Sequence, residues 1–283
     1  MQLTLGVLLV IGGVFGGFVL HGGSLRLIWQ PTEIMIIGSA AVGALVIGNS
    51  RSVLTEIWRQ LKQVVRHKNL GVEFQRQLLL LLYELLEMVR DGGLKALDQH
   101  VEDPHDSDLF QRYPAILDQP RLVSFIVDNF RLMAMGRITA HELEGMLDQE
   151  LEAIEEELMQ PSRSLGKLAE AMPGFGILAA VLGIVTTMAN IDGEVAEIGM
   201  QVAAAMVGTF IGILLCYGAL DPLAGAMAHR VKSELSSLEC VKVVLCAQVA
   251  GKPTLLAVDA GRKLIQLEVK PSFARLESWI MDI

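Results

Sequence analysis

Four stretches of this chain are long, apolar and uncharged, and they limit what it can fold into. Met1 to Leu25 contains no Asp, Glu, Lys or Arg; neither does Ile34 to Ser50, which Pro31 and Thr32 extend at its start. Ala171 to Ile191 and Ile198 to Leu220 are the third and fourth. A helix needs about 20 mostly apolar residues to cross the ~30 Å hydrocarbon core of a bilayer. Inside that core every backbone N–H and C=O must find a partner within the protein, which leaves helices and closed barrels. The runs are continuous rather than alternating, so they predict four transmembrane helices. No Lys or Arg precedes Arg26 and no small-residue cleavage pattern follows the first run, so that run reads as a retained span.

The rest of the composition agrees. Only 19% of the residues are charged, against about 25% in soluble domains. The formal net charge of −9 excludes nucleic acid as a partner. Cys216, Cys240 and Cys246 have no metal-ligand or disulfide spacing and read as reduced thiols. Lys and Arg cluster after the second run (Arg51, Arg59, Lys62, Arg66, Lys68), before the third (Arg163, Lys167) and after the fourth (Arg230, Lys232). The connection between the third and fourth runs carries Asp192, Glu194 and Glu197 and no base. Basic loops stay in the cytoplasm, so both termini are expected inside and two short loops outside.

Between the two hairpins the pattern is amphipathic helix. Leu54, Ile57, Trp58, Leu61, Val64 and Val65 form one stripe, and a Leu-rich helix over 72–90 ends at Asp91-Gly92-Gly93. A further helix over 119–135 turns Leu122, Phe125, Ile126, Phe130 and Met133 inward. Thr139-x-x-Glu142 is a capping box that opens an acid-faced helix, which Pro161 is expected to stop. The helix continuing the fourth span should reach about 249, break at Gly251-Lys252-Pro253 and be followed by two short helices. With no strand pattern or internal repeat, the fold class is all-α. The expected divisions are a transmembrane hairpin over 1–50, a cytoplasmic helical domain over 51–166, a second transmembrane hairpin over 167–222 and cytoplasmic helices over 223–283.

The spans are rich in small residues at four-residue spacing: Gly12 and Gly16, Gly13 and Gly17, Gly176 and Ala180, Ala179 and Gly183, and Ala204, Gly208 and Gly212. Such rows let helix backbones approach closely, within one chain or in a homo-oligomer. No phosphate-binding loop, nucleophile elbow or zinc motif is present; His141-Glu142 lacks a second histidine because Gly145 stands four residues on. A proton or sodium relay in a membrane needs an ionisable residue, and no span carries one near its middle. The third and fourth spans offer hydroxyls instead: Thr186, Thr187 and Thr209, with Tyr217 nearer the cytoplasm. These orient water or solvate an ion, or simply bond back to their own helix. If the chain helps to conduct ions, the titrating carboxylate must come from another polypeptide. Pro173 and Pro222 frame the same pair of spans, as boundaries or as hinges.

With these residues in view, the chain resembles the MotA family of flagellar stator subunits, within the MotA/TolQ/ExbB proton-channel group. The match runs through Val14-Phe15-Gly16-Gly17, Gly22-Gly23-Ser24-Leu25, Gln30-Pro31-Thr32-Glu33, Tyr113-Pro114-Ala115-Ile116-Leu117, Pro173-Gly174-Phe175-Gly176-Ile177, Ala205-Met206-Val207-Gly208-Thr209-Phe210 and Pro271-Ser272-Phe273. The resemblance implies an inner-membrane proton channel and no enzyme. Five copies would surround two MotB-like subunits, whose aspartate carries the ion past Thr209 and the third span. The cytoplasmic helices would push on the rotor protein FliG through charges: Arg90 matches the family arginine, Asp98 stands in for a glutamate, and Glu150 is a further candidate. Sodium-driven relatives place threonine where this chain has Ala180. Alanine offers no oxygen to a hard cation, so the expected ion is the proton, with no bound cofactor. The alternative is a TolQ/ExbB-type energiser of an outer-membrane process, but those have three spans and lack the N-terminal hairpin.

Overall fold

The computed structural model describes residues 2–65, 71–135, 138–189 and 195–282. Among them there is no strand, so the all-α expectation holds. Three helical stretches, Leu25–Gly48, Ala140–Ala189 and Val195–Val249, are long and apolar enough to cross a membrane, and Thr4–Leu20 is a shorter apolar helix.

The chain forms two compact units, Met1–His67 with Glu157–His229, and Lys68–Glu156 with Arg230–Ile283. The first contains α1 (Gln2–Leu20), α2 (Leu25–Ile28), α3 (Pro31–Gly48) and α4 (Arg51–Val65). Glycines decide where α1 ends. Gly22 has φ +85°, and a Cβ on Gly23 would lie 2.4 Å from the Phe18 ring, so only glycines allow the chain to turn back against that ring. Pro31 then opens α3 at a position where its missing N–H is not needed. On α4, Val53 and Ile57 are buried, but Trp58 is 64% exposed with the Lys62 ammonium 5.6 Å from its ring centre. The sequence stripe had placed Trp58 with the buried residues; one edge of that stripe faces out.

The second unit is built on α5 (Val72–Gly92), where Leu78 to Leu82, Leu85 and Leu86 are all buried. Burying each such side chain contributes about 1.5–3 kcal/mol. Gly93, at φ +72°, ends α5 as expected. A single 3₁₀ turn, Leu94–Leu97, leads to α6 (Asp98–Glu102), α7 (Asp108–Gln111), α8 (Pro114–Leu117) and α9 (Pro120–Met135). Leu122, Phe125, Ile126, Phe130 and Met133 of α9 are buried as the periodicity requires.

Helix α10 runs from Ala140 to Ala189. The capping box at its start is formed: the Glu142 N–H donates to Thr139 Oγ1 (3.3 Å), and Thr139 N–H donates to Glu142 Oε2 (2.9 Å). That backbone bond, together with the Thr139 hydroxyl, holds the Glu142 carboxyl below its ordinary range. Pro161 does not stop this helix, contrary to the sequence expectation, and Pro173 lies inside it too. Tertiary contacts carry the helix through. Pro161 is buried, Gln60 Nε2 donates to Leu158 O (3.1 Å), and Ser162 Oγ donates to Ala224 O (2.8 Å). These outweigh the single backbone bond that proline removes.

Helix α11 (Val195–Leu215) leads through a π-helical turn, Cys216–Leu220, into α12 (Asp221–Val249). Gly251 (φ +76°) and Pro253 then precede α13 (Thr254–Arg262) and α14 (Phe273–Met281), the tail the sequence predicted. Both α13 and α14 pack on α5. Gly261 makes the approach of α13 to α12 possible, since a Cβ there would sit 2.7 Å from Cys240 O. Arg121 pairs with Glu234, and Lys242 with Asp148, within this unit.

Candidate functional site: a small-residue crevice between three helices

Helices α10 and α11 meet closely in the first unit. A Cβ on Gly176 would lie 2.7 Å from Gly208 O, and one on Gly212 would lie 2.6 Å from Met172 O. A Cβ on Gly208 would meet that of Ala179 at 3.3 Å. The small residues at four-residue spacing therefore bring the two backbones into contact within one chain. Helix α3 closes the third side through Ile37 and Ala41, which are buried with Ala169, Met172, Ala179 and Cys216. Phe15 of α1 meets Phe210 edge-on, with ring centres 6.2 Å apart.

Several of the predicted pathway residues lie on these surfaces. Ala180 is buried, and Thr209 is half-buried, its Cα 3.1 Å from where a Gly176 Cβ would be. Thr187 is 0% exposed. Its hydroxyl donates to Gly183 O at 2.9 Å, and the exposed Thr186 donates to the same oxygen at 2.7 Å. Tyr217 stands apart: it is 69% exposed, in the π-helical turn. Pro173 is half-buried inside α10, and Pro222 is exposed at the start of α12. Asp192 and Glu194 lie outside the described residues.

The predicted rotor-contact charges belong to the second unit. Arg90 is exposed near the end of α5; it donates to Glu87 Oε1 (2.7 Å) and Asp91 Oδ1 (3.1 Å). A shallow groove beside it is lined by Tyr83, Glu84, Glu87 and Asp91, with Arg112 donating to Glu84 at 3.0 Å. Asp98 begins α6, but its side chain lies outside the described residues. Glu150 is exposed on α10 and accepts from Asn129 Nδ2 at 3.4 Å.

Sequence reasoning missed Glu33. Counting the second span from Ile34 left this acid just outside it. In the structure it lies in the first turn of α3, 6% exposed, against α10 and α11. A Cβ on Gly208 would lie 3.1 Å from Glu33 Oε2, and one on Gly183 would lie 3.4 Å from Oε1. The available signal was a lone acid directly in front of an uncharged run.

Residues 4–93 match the family Motility protein A N-terminal, and residues 123–240 match the MotA/TolQ/ExbB proton channel family. The chain belongs to the MotA/TolQ/ExbB proton channel family. This family member is 54% identical over 282 residues to Chemotaxis protein LafT of Vibrio parahaemolyticus, covering 100% of the chain and 99% of the relative. It is 38% identical over 283 residues to Motility protein A of Salmonella typhimurium, covering 100% and 96%. Its fold matches the C. jejuni MotAB structure with TM-score 0.77 at 15% identity, covering 94% of this chain and 96% of that one. It matches the flagellar MotAB stator complex of Bacillus subtilis with TM-score 0.70 at 22% identity, covering 97% and 98%. The fold of this proton channel family member is therefore that of the stator subunits.

Proposed function

We propose that the chain is the channel-forming subunit of a flagellar stator, which passes protons inward and turns the flow into torque on a rotor. What carries this reading is full-length similarity to motility proteins, including an N-terminal match over residues 4–93 that is specific to motility protein A. That N-terminal match favours the stator over a TolQ/ExbB-type energiser.

In this reading α1, α3, the apolar half of α10 and α11 cross the bacterial inner membrane, with both termini and the second unit in the cytoplasm. The divisions are those expected from sequence, at 1–50, 51–166, 167–222 and 223–283. The large apolar side chains exposed along α10 (Ile177, Val181, Val185, Met188) support it, since bilayer or neighbouring chains must cover them. A MotB-like partner supplies the ion-carrying aspartate, since none of the four apolar runs carries an acid near its middle. Five copies surround two partner helices. Ala180, Thr187 and Thr209 line the path, with Thr186 and Tyr217 near its ends, and Pro173 and Pro222 bend as the ion passes. Arg90, Asp98 and Glu150 meet complementary charges on FliG.

The test is swimming in a strain lacking its own channel subunit, complemented with this chain and its partner. Wild type should restore swimming that ignores sodium and stops with a proton uncoupler, and Arg90→Glu should cut it severely. A chain that inserts with its partner but never restores swimming points to the TolQ/ExbB-type role. Swimming that requires sodium would sink the proton assignment.

A further inference from the structure

Glu33 Oε2 is buried and has no hydrogen-bond partner among the described residues. Burying an unpaired carboxylate is expensive, with an effective penalty of several kcal/mol. A favourable interaction with the positive end of α3 does not explain the position. An acid in a helix's first turn gains that from its exposed side as well, and Thr32, Ile34 and Met35 around it are all exposed. Glu33 instead turns inward, onto two helices.

The seat is made by absent side chains. A methyl group on Gly208 of α11 would crowd the carboxylate at 3.1 Å, while one on Gly183 of α10 would touch it at 3.4 Å and crowd Ala205, which closes the space between them, at 2.9 Å. Further polar groups lie one turn beyond the carboxylate on α10 and α11. Gln201 lies one turn before Ala205 on the same face of α11, and its Oε1 is also buried without a partner. Thr187 lies one turn after Gly183 and is fully buried. A second orphaned oxygen and a buried hydroxyl thus lie one helical turn from the Glu33 seat, on its side toward the α10–α11 connection.

We propose that Glu33 is a proton-binding site carried by this chain itself, at the outer end of the ion path and upstream of the partner's carboxylate. The proposal rests on the stator reading for its place in the path. A hydronium ion gives its proton to Oε2, an O–H bond forms there, and water leaves; the reverse step hands the proton on to the next acceptor. A sodium ion fits poorly. It needs a full set of oxygen ligands, and the carbonyl of Gly183 is already taken by Thr186 and Thr187. Among the described residues, few charges face the site. Residues 172–189 of α10 bring none, α11 brings the exposed Glu197, α2 brings the exposed Arg26, and His21 follows α1, also exposed.

The test has two arms, both on the complex with its partner. In the first, the wild-type complex is treated with a hydrophobic carbodiimide, which modifies protonated buried carboxyls, and adducts are mapped by mass spectrometry. An adduct on Glu33 that falls about fivefold or more between about pH 6 and pH 9 is expected; no adduct at either pH overturns the proposal. In the second, rotation of tethered cells is followed across external pH. Glu33→Gln should reach the membrane, turn about threefold slower or worse and lose the wild-type pH profile, while Glu33→Asp keeps that profile. Wild-type rotation by Glu33→Gln overturns the proposal. So does a sodium requirement that vanishes in Glu33→Gln. A wild-type chain that turns nothing strikes the stator reading instead, and the carbodiimide arm still decides Glu33.

Discussion

A Cβ added at Gly212 would lie 2.6 Å from Met172 O, whereas one added at Gly199 on the same helix meets nothing within 4 Å. Overpacking a tight contact typically costs about 1–3 kcal/mol. Gly212→Ala should therefore lower the melting temperature of the purified complex in detergent, and Gly199→Ala should leave it unchanged. Equal melting for the two would mean that α10 and α11 do not touch as described. A second residue-level prediction concerns pH. Burial opposes ionisation of Asp259, but Arg262 and Lys263 outweigh it and hold its carboxyl below the ordinary range. A group depressed in the folded state contributes stability above its unfolded value, about pH 4, and loses it as pH falls through the lower folded value. Protection of the α13 amides, taken relative to their intrinsic exchange rates, should fall as the pH is lowered below about 4, and Asp259→Asn should show weaker acid dependence.

At the scale of elements, legibility depended on whether the signal was local. The capping box at Thr139 and Glu142 was readable because both partners lie within one turn. Thr139→Ala should cost about 1 kcal/mol, seen as faster exchange of the first amides of α10, with those near Pro173 unaffected. The glycine breaks at Gly93 and Gly251 were readable for the same reason, since only φ is at stake. The passage of α10 through Pro161 was not, because the groups that hold it there, Gln60 and Ala224, are remote in sequence. Trp58 was misplaced because periodicity marks the centre of an apolar face and not its edge. Glu33 escaped because hydropathy defines a span by what is apolar, while its burial comes from glycines on two other helices. Thr187 and Thr186 were left open between pathway and self-bonding; both hydroxyls do bond Gly183 O.

For the whole molecule, the apolar surface of the first unit is the larger fact. Ile177, Leu178, Val181, Leu182 and Val185 are exposed on a single stretch of α10. A charge there would cost about 2.5–3.5 kcal/mol at the centre of a bilayer. Val181→Asp should therefore reduce the protein recovered in the membrane fraction, whereas an acid placed at the exposed Gln149 of the second unit should not. Equal recovery of both would remove α10 from the list of spans. Pro173→Ala should leave membrane recovery intact and lower torque, if bending at that turn couples ion passage to the second unit.

The π-helical turn Cys216–Leu220 inserts one extra residue between α11 and α12. Its consequence is angular phase. Each residue of an α-helix advances by roughly 100°, so the surplus residue resets the azimuth of every side chain that follows. Upstream, Gly208 and Gly212 face α10; downstream, Ala224 and Met227 bury with Leu165 of that same helix. Deleting one residue within this turn would relax it to a regular α-helix and swing Ala224 and Met227 off Leu165, although no apolar residue need be lost. Length, and not only identity, is therefore under constraint at this point of the chain.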